Sequence, residues 1–286
     1  MLLYHRVRPD PPAPTDVVRT VTVDRLREQL TAIRRVGEIV PLAELDRRGP
    51  GGAPRFAITF DDDDAGHAHH ALPVLAELGV PATFFLSGRW LHGLGPYWWE
   101  LLERELRELG VRRLATQLGQ DAGSAVELAV ALEGSPAAAE LAARADQQPR
   151  GPDMTSLNAR ALIDAGMEIG FHTVDHPVLP QVAPDDLRST LTRGRDELAE
   201  ELGVPLRRFA YPHGRWNHRV RDALAEQAYV GAWTVEEVAT HPSDHALSRG
   251  RWEPGARSGD EVVAGLVRRL LHDDRDAIPE ETDPDG

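Results

Sequence analysis

Short β-like runs alternate with amphipathic helical stretches along most of this chain, and that alternation limits the fold more than anything else in it. The β-like runs cover 2–4, 38–41, 56–60, 82–86, 167–171, 208–211, 229–234 and 246–249. Between them, 23–36 places Leu26, Leu30 and Ile33 at helical spacing, 69–78 and 155–165 follow the same logic, and 184–202 opens on Pro-Asp-Asp, a good helical first turn. A further helix is expected over 216–227. Strand–helix alternation of this length predicts βαβ units, hence an α/β fold with a parallel sheet. With about seven or eight such units, closure into a barrel is favoured over an open sheet. The stretch 115–151, rich in Ala, Gln, Glu and Gly, interrupts the rhythm. It reads as a helical insertion or lid between two barrel units, or equally as an irregular surface excursion.

Composition narrows the chemistry. The formal charge of -14 argues against nucleic acid or an anionic membrane as the main partner. Part of it is local, because the last fourteen residues carry seven acids and one Arg and read as a disordered tail. Cysteine is absent, which removes thiol nucleophiles and Cys-ligated zinc. All 32 basic residues are Arg, so a Schiff-base Lys and a phosphate-loop Lys are excluded. No apolar run approaches the ~20 residues of a membrane span. The N-terminal residues lack a signal-peptide pattern, so a cytoplasmic location is expected, or an extracellular one if a signal has been removed.

Three constellations could carry chemistry. In Ile58-Thr59-Phe60-Asp61-Asp62-Asp63-Asp64 an apolar strand ends in four carboxylates. Functional residues of parallel α/β folds sit at such strand ends. Adjacent carboxylates resist full ionisation unless a cation lies among them. In Gly170-Phe171-His172-Thr173-Val174-Asp175-His176 a second strand ends in an HxxxH pair. The spacing alone is a weak signal, and it recurs at His241 and His245. A barrel, however, would bring His172 and His176 to the carboxylates. Two imidazoles and one carboxylate suit Zn²⁺ or a similar ion, with a position left open for water. In Phe209-Ala210-Tyr211-Pro212-His213-Gly214-Arg215-Trp216 a third strand runs into a Pro- and Gly-bounded loop able to offer a backbone N–H to an anion, with Trp216 as an apolar wall.

In order and context these segments resemble the polysaccharide deacetylase family, the NodB-like carbohydrate esterases. The matching residues are Thr59-Phe60-Asp61-Asp62, His172-Thr173-Val174-Asp175-His176 and Phe209-Ala210-Tyr211-Pro212-His213-Gly214. The resemblance implies a distorted (β/α)7 barrel over residues 1–270, with the insertion near 115–151 inside it and an acidic tail over 271–286 outside it. It implies metal ligation by Asp62, His172 and His176, with Zn²⁺ as the first expectation and Co²⁺ or Ni²⁺ as alternatives. It makes Asp61 the general base and the loop at His213 the donor facing an oxyanion. The implied activity is metal-dependent removal of acetyl groups from an N-acetylated carbohydrate. An O-acetyl sugar esterase and a non-catalytic glycan-binding relative are the alternatives.

Three departures from the family pattern matter. Asp63 stands where the family has Gly, and Ala210 stands where many members carry an arginine that tunes the base, a role open to Arg208, Arg215 or no residue. The late Leu-x-His motif that supplies a general acid is matched only in letters, at Leu270-Leu271-His272. His5 is the preferred proton donor in its place, with His213 and His245 as others. His67, His69 and His70 read as surface histidines, and Trp98 and Trp99 as core aromatics that could instead stack on sugars.

Overall fold

In the computed structural model, residues 1–46, 52–149, 153–237 and 244–271 are described. Six parallel strands form one sheet in the order Leu2–Tyr4, Ile58–Asp61, Ala82–Leu86, Glu168–Phe171, Arg208–Ala210, Gly231–Trp233. Each new strand is added beside the one before it, as right-handed βα crossovers dictate. The expected strand at 246–249 is not regular, but its end closes the barrel. Arg249 bridges Trp233, and Trp252 bridges Leu2, both in parallel. Backbone hydrogen bonds Thr234 N–H to Arg249 O (2.8 Å) and Leu3 N–H to Trp252 O (2.9 Å) hold this irregular seventh stave in place. The result is the distorted (β/α)7 barrel.

Strand alternation sorts the side chains. Ile58, Phe60, Phe84, Phe171 and Phe209 face the surrounding helices in the main apolar core, whereas Ala57, Phe85, Ala210 and Trp233 fill the barrel with Met1. The first helix, Val23–Val36, is capped by the Thr22 hydroxyl accepting from Arg25 N–H and buries Leu26, Leu30 and Ile33. The helix expected over 184–202 is two, Pro184–Thr192 and Arg195–Leu202. Gly194 causes the break. Its φ is +78°, and a Cβ there would lie 2.3 Å from Val174 Cγ2. The helix expected at 69 begins as a single π turn, His67–Ala71, before Leu72–Leu78.

After the strand Ala82–Leu86 the chain leaves the barrel for four helices, Trp98–Leu109, Val111–Gln117, Ala125–Leu132 and Pro136–Ala145. They bury a second apolar cluster of their own, built on Leu102, Leu106, Leu128, Leu132 and Leu141. The stretch 115–151 thus holds the end of one helix and two further helices, Ala125–Leu132 and Pro136–Ala145, joined by turns. The acidic tail, His241 and His272 lie outside the described residues. Among the described residues no helix is long and apolar enough to cross a membrane.

Candidate active site

The four consecutive aspartates point four ways. Asp61 ends its strand on the parity of Ala57 and Thr59, which faces the barrel interior. There it meets Arg251 in a fork of two hydrogen bonds, Nη1 to Oδ1 at 2.7 Å and Nη2 to Oδ2 at 2.6 Å. Both side chains are almost completely buried. Burial alone would raise the Asp61 carboxyl, but the Arg251 guanidinium, followed by His172, holds it below the usual carboxylate range. Asp62 should face the helices, but the strand has ended and its φ is +73°, which swings the carboxylate back over the barrel mouth. Asp63 turns toward the neighbouring strand end, accepting from Ser87 N–H (2.8 Å), Ser87 Oγ (2.5 Å) and Arg89 N–H (3.1 Å). Asp64 pairs with Arg8. The mutual repulsion expected of this run is thus relieved at Asp61, Asp63 and Asp64 by separate partners, and the residue at the family's Gly position anchors the adjoining loop.

His172 and His176 follow the strand Glu168–Phe171. Their Nε2 atoms are 3.1 Å apart, and each lies 3.6 Å from Asp62 Oδ1. The second nitrogen of His172 donates to Ala210 O at 2.8 Å, which leaves its Nε2 lone pair aimed at Asp62. Asp62 Oδ1 is buried and has no hydrogen-bond partner. An orphaned carboxylate oxygen between two imidazole nitrogens is costly unless a cation satisfies it. Two nitrogens and one oxygen within 4.8 Å of one another form the donor set of a divalent ion with a vacant coordination position. Burial lowers both imidazoles below their ordinary value and pushes Asp62 up to about 7. The histidines are therefore held neutral, as ligation requires. The residues present fit a metal.

Backbone strain gathers at this site. Among the described residues, the non-glycine residues with left-handed backbone are Asp62, Thr173, His176, His213 and Ala228, and all but the last belong to or adjoin the cluster. Such conformations persist where the surroundings over-determine them.

The other expected residues fall in different places. His5 follows the strand Leu2–Tyr4 and lines a small cavity with Asp62, Tyr97 and Trp99. Its Nδ1 is 2.8 Å from Glu253 Oε1. Burial would lower it, but Glu253, supported by Asp62 and Asp61, raises it to about 9. The His213 side chain lies beside His176, with Nε2 3.2 Å from His176 Nδ1. His245 instead accepts from Leu247 N–H in a local turn. Trp216 packs near Tyr211 and donates to Glu236. His67 is not a surface histidine. It is fully buried against Phe60 and Phe84, with Nε2 2.7 Å from His5 O.

Neither Arg208 nor Arg215 takes the tuning role. Arg208 pairs with Glu168, and Arg215 lies near Glu133. The guanidinium beside Asp61 is instead that of Arg251, which the sequence did not single out. It sits on the irregular closing stave, where no strand pattern marks an inward position. The same stave carries Glu253. Trp99 stacks on Tyr97 (centroids 4.2 Å apart) and sets its edge against the His176 ring (4.7 Å), so it walls the cluster. Trp98 instead packs against the apolar cluster of the insertion.

Comparison with known proteins agrees with this fold. No curated protein matches the sequence. Among solved structures, a Streptococcus pyogenes deacetylase, PplD, in complex with acetate superposes with a TM-score of 0.63 at 19% identity, covering 94% of this chain and 96% of that one. IcaB from Ammonifex degensii gives a TM-score of 0.59 at 22% identity, covering 95% and 96%. A de-N-acetylase from Aggregatibacter actinomycetemcomitans gives 0.61 at 15% identity, covering 91% and 97%. At these identities the likeness shows the fold. The sequence itself matches the family described as polysaccharide deacetylase over residues 48–112 and 141–232, leaving 113–140, within the helical insertion, unmatched. That match covers more than half of the chain and includes Asp61, Asp62, His172, His176 and His213, and on it the chain belongs to the polysaccharide deacetylase family.

Proposed function

We propose that this chain is a metal-dependent hydrolase that removes acetyl groups from an N-acetylated sugar, whether polymer, oligosaccharide or biosynthetic glycoside. The observation that carries the proposal is one juxtaposition. The Asp62–His172–His176 triangle has a buried, ionised carboxylate on one side, Asp61 with its Oδ2 3.9 Å from His172 Nε2. On another side is His5, held protonated by Glu253. Asp62, His172 and His176 would hold a divalent cation, Zn²⁺ first and Co²⁺ or Ni²⁺ as alternatives, and such an ion acidifies water and polarises a carbonyl. Asp61 takes the proton of the attacking water, and Arg251 keeps it ionised between turnovers. The backbone N–H of His213 faces the developing oxyanion. His5 gives its proton to the departing nitrogen.

The charged state of His5 favours amide over ester chemistry. An amine must be protonated to leave, whereas an alkoxide leaves far more readily without that help. A binding-only relative has no need of Asp61, and burying the Asp61–Arg251 pair carries a desolvation cost that binding alone does not call for. The test is acetate release from a panel of N-acetyl and O-acetyl sugars, with Zn²⁺ or Co²⁺ supplied. Acetate accompanied by an equal amount of new free amine is the expected result. Acetate without amine would move the function to an esterase, and no acetate with metal bound would support the binding relative.

A further inference from the structure

We propose that Glu133, supplied by the helical insertion, is a positioning residue that fixes the tautomer of His213 and through it the orientation of the ligand His176. The inference rests on the metal reading of the Asp62–His172–His176 cluster and goes beyond it. Glu133 lies in the segment 113–140 that the family match leaves out.

Proton bookkeeping gives such a group a role. The His176 nitrogen facing the cluster is Nε2, 3.1 Å from His172 Nε2 and 3.6 Å from Asp62 Oδ1. A neutral imidazole that gives its Nε2 lone pair to a cation must carry its proton on Nδ1. That Nδ1 lies 3.2 Å from His213 Nε2, so it donates there and His213 must accept. A His213 that accepts at Nε2 has its own proton on Nδ1. Free neutral histidine favours the opposite tautomer, and in that form two N–H groups would face each other across the same 3.2 Å. The His213 ring also meets the His176 backbone, and Glu133 adds a carboxylate that favours the Nδ1–H form. The Oε1 of Glu133 lies 3.6 Å from His213 Nδ1, on the side where that proton sits. The other charged group facing this carboxylate is Arg215, with Nε at 3.5 Å.

The backbone at both ends of the contact is fixed. His213 has φ +56° in the turn after the strand Arg208–Ala210. Glu133 ends the helix Ala125–Leu132 and is followed by Gly134 at φ +70°, where a Cβ would lie 2.7 Å from Gln181 Oε1. That close approach seats the inter-helix turn against the barrel. Carboxylates that orient metal-bound histidines typically change metal affinity by 10–100-fold when removed.

The experiment measures Zn²⁺ affinity of the full chain by competition with a chromophoric chelator, together with the visible spectrum of the Co²⁺-loaded protein. Glu133→Gln should weaken Zn²⁺ about tenfold, the lower end of that range because it acts through His213, and should shift the Co²⁺ bands. His213→Asn keeps a residue tolerant of positive φ and removes the imidazole. In that background Glu133→Gln should change affinity by less than about twofold, the non-additivity of residues acting in one chain. Unchanged affinity and spectrum in the single variant, or full additivity in the double one, would overturn the inference. A wild-type chain that binds neither Zn²⁺ nor Co²⁺ would overturn the metal reading beneath it, an outcome distinguishable from the other two.

Discussion

Replacing Arg251 by Met should destabilise the apo protein in a pH-dependent way, and the structure sets the size of the effect. Arg251 is 0% exposed, and its guanidinium accounts for both short contacts to Asp61. It also donates to Thr234 O at 2.9 Å and Thr59 Oγ1 at 3.2 Å. Met preserves most of the apolar stem but leaves the Asp61 carboxylate buried and uncompensated, a loss of about 3–5 kcal/mol. Against a total stability of ~5–15 kcal/mol this is large. In the wild type the folded Asp61 titrates below its unfolded value. Its contribution is therefore present above the unfolded pKa of ~3.9 and is lost as pH falls through the folded one. In the variant burial is no longer opposed by Arg251 and the folded pKa rises above the unfolded value. Near pH 4 the loss should then be limited to the missing wild-type pairing, and above it the loss should grow by about 1.4 kcal/mol per pH unit until Asp61 ionises in the folded state. Urea unfolding in the presence of a chelator, at pH 4.5 and pH 8, measures this directly. The variant should lie much closer to wild type at pH 4.5, and adding Asp61→Asn should recover part of the loss at pH 8. An equal loss at both pH values, with no recovery in the double variant, would mean that Arg251 acts as packing and not as the partner of a charge.

Other outcomes follow from the same geometry. Asp61→Asn should keep metal binding and lower kcat by about 10²–10⁴-fold, read by calorimetry and acetate release; near-normal turnover would remove Asp61 from the base role. Glu253→Gln should move the alkaline limb of the pH–rate profile down from about 9, because burial then dominates His5 and deprotonates it earlier. A limb that stays in place would show that His5 is not the acid. Gly194→Ala must adopt φ +78° and place a Cβ 2.3 Å from Val174, so thermal unfolding should show a loss of at least about 1–3 kcal/mol.

The sequence by itself marked the six strands of the main sheet and the segments that meet at their C-terminal ends, because both are local, whereas the run 38–41 joined a separate two-stranded sheet and 246–249 formed no regular strand. Period-2 runs ending in acids or histidines state which residues lie at strand ends, and strand parity alone turns Asp61 inward beside Thr59. The pairing of Asp62 with His172 and His176 came from the family resemblance, since parity alone would turn Asp62 toward the helices and only its left-handed backbone brings it back. The helix break at Gly194 was less legible, since a continuous apolar stripe masks one left-handed residue. What only the tertiary structure decided is which charges meet. Arg251 reaches Asp61 across 190 residues and Glu253 reaches His5 across 248, from a closing stave with no strand periodicity to mark an inward side chain. Glu133 comes from an insertion whose pattern predicts helix and nothing about its neighbours. Burial and pairing of ionised groups depend on closure of the barrel and on the seating of the insertion, and no stretch of sequence encodes either alone.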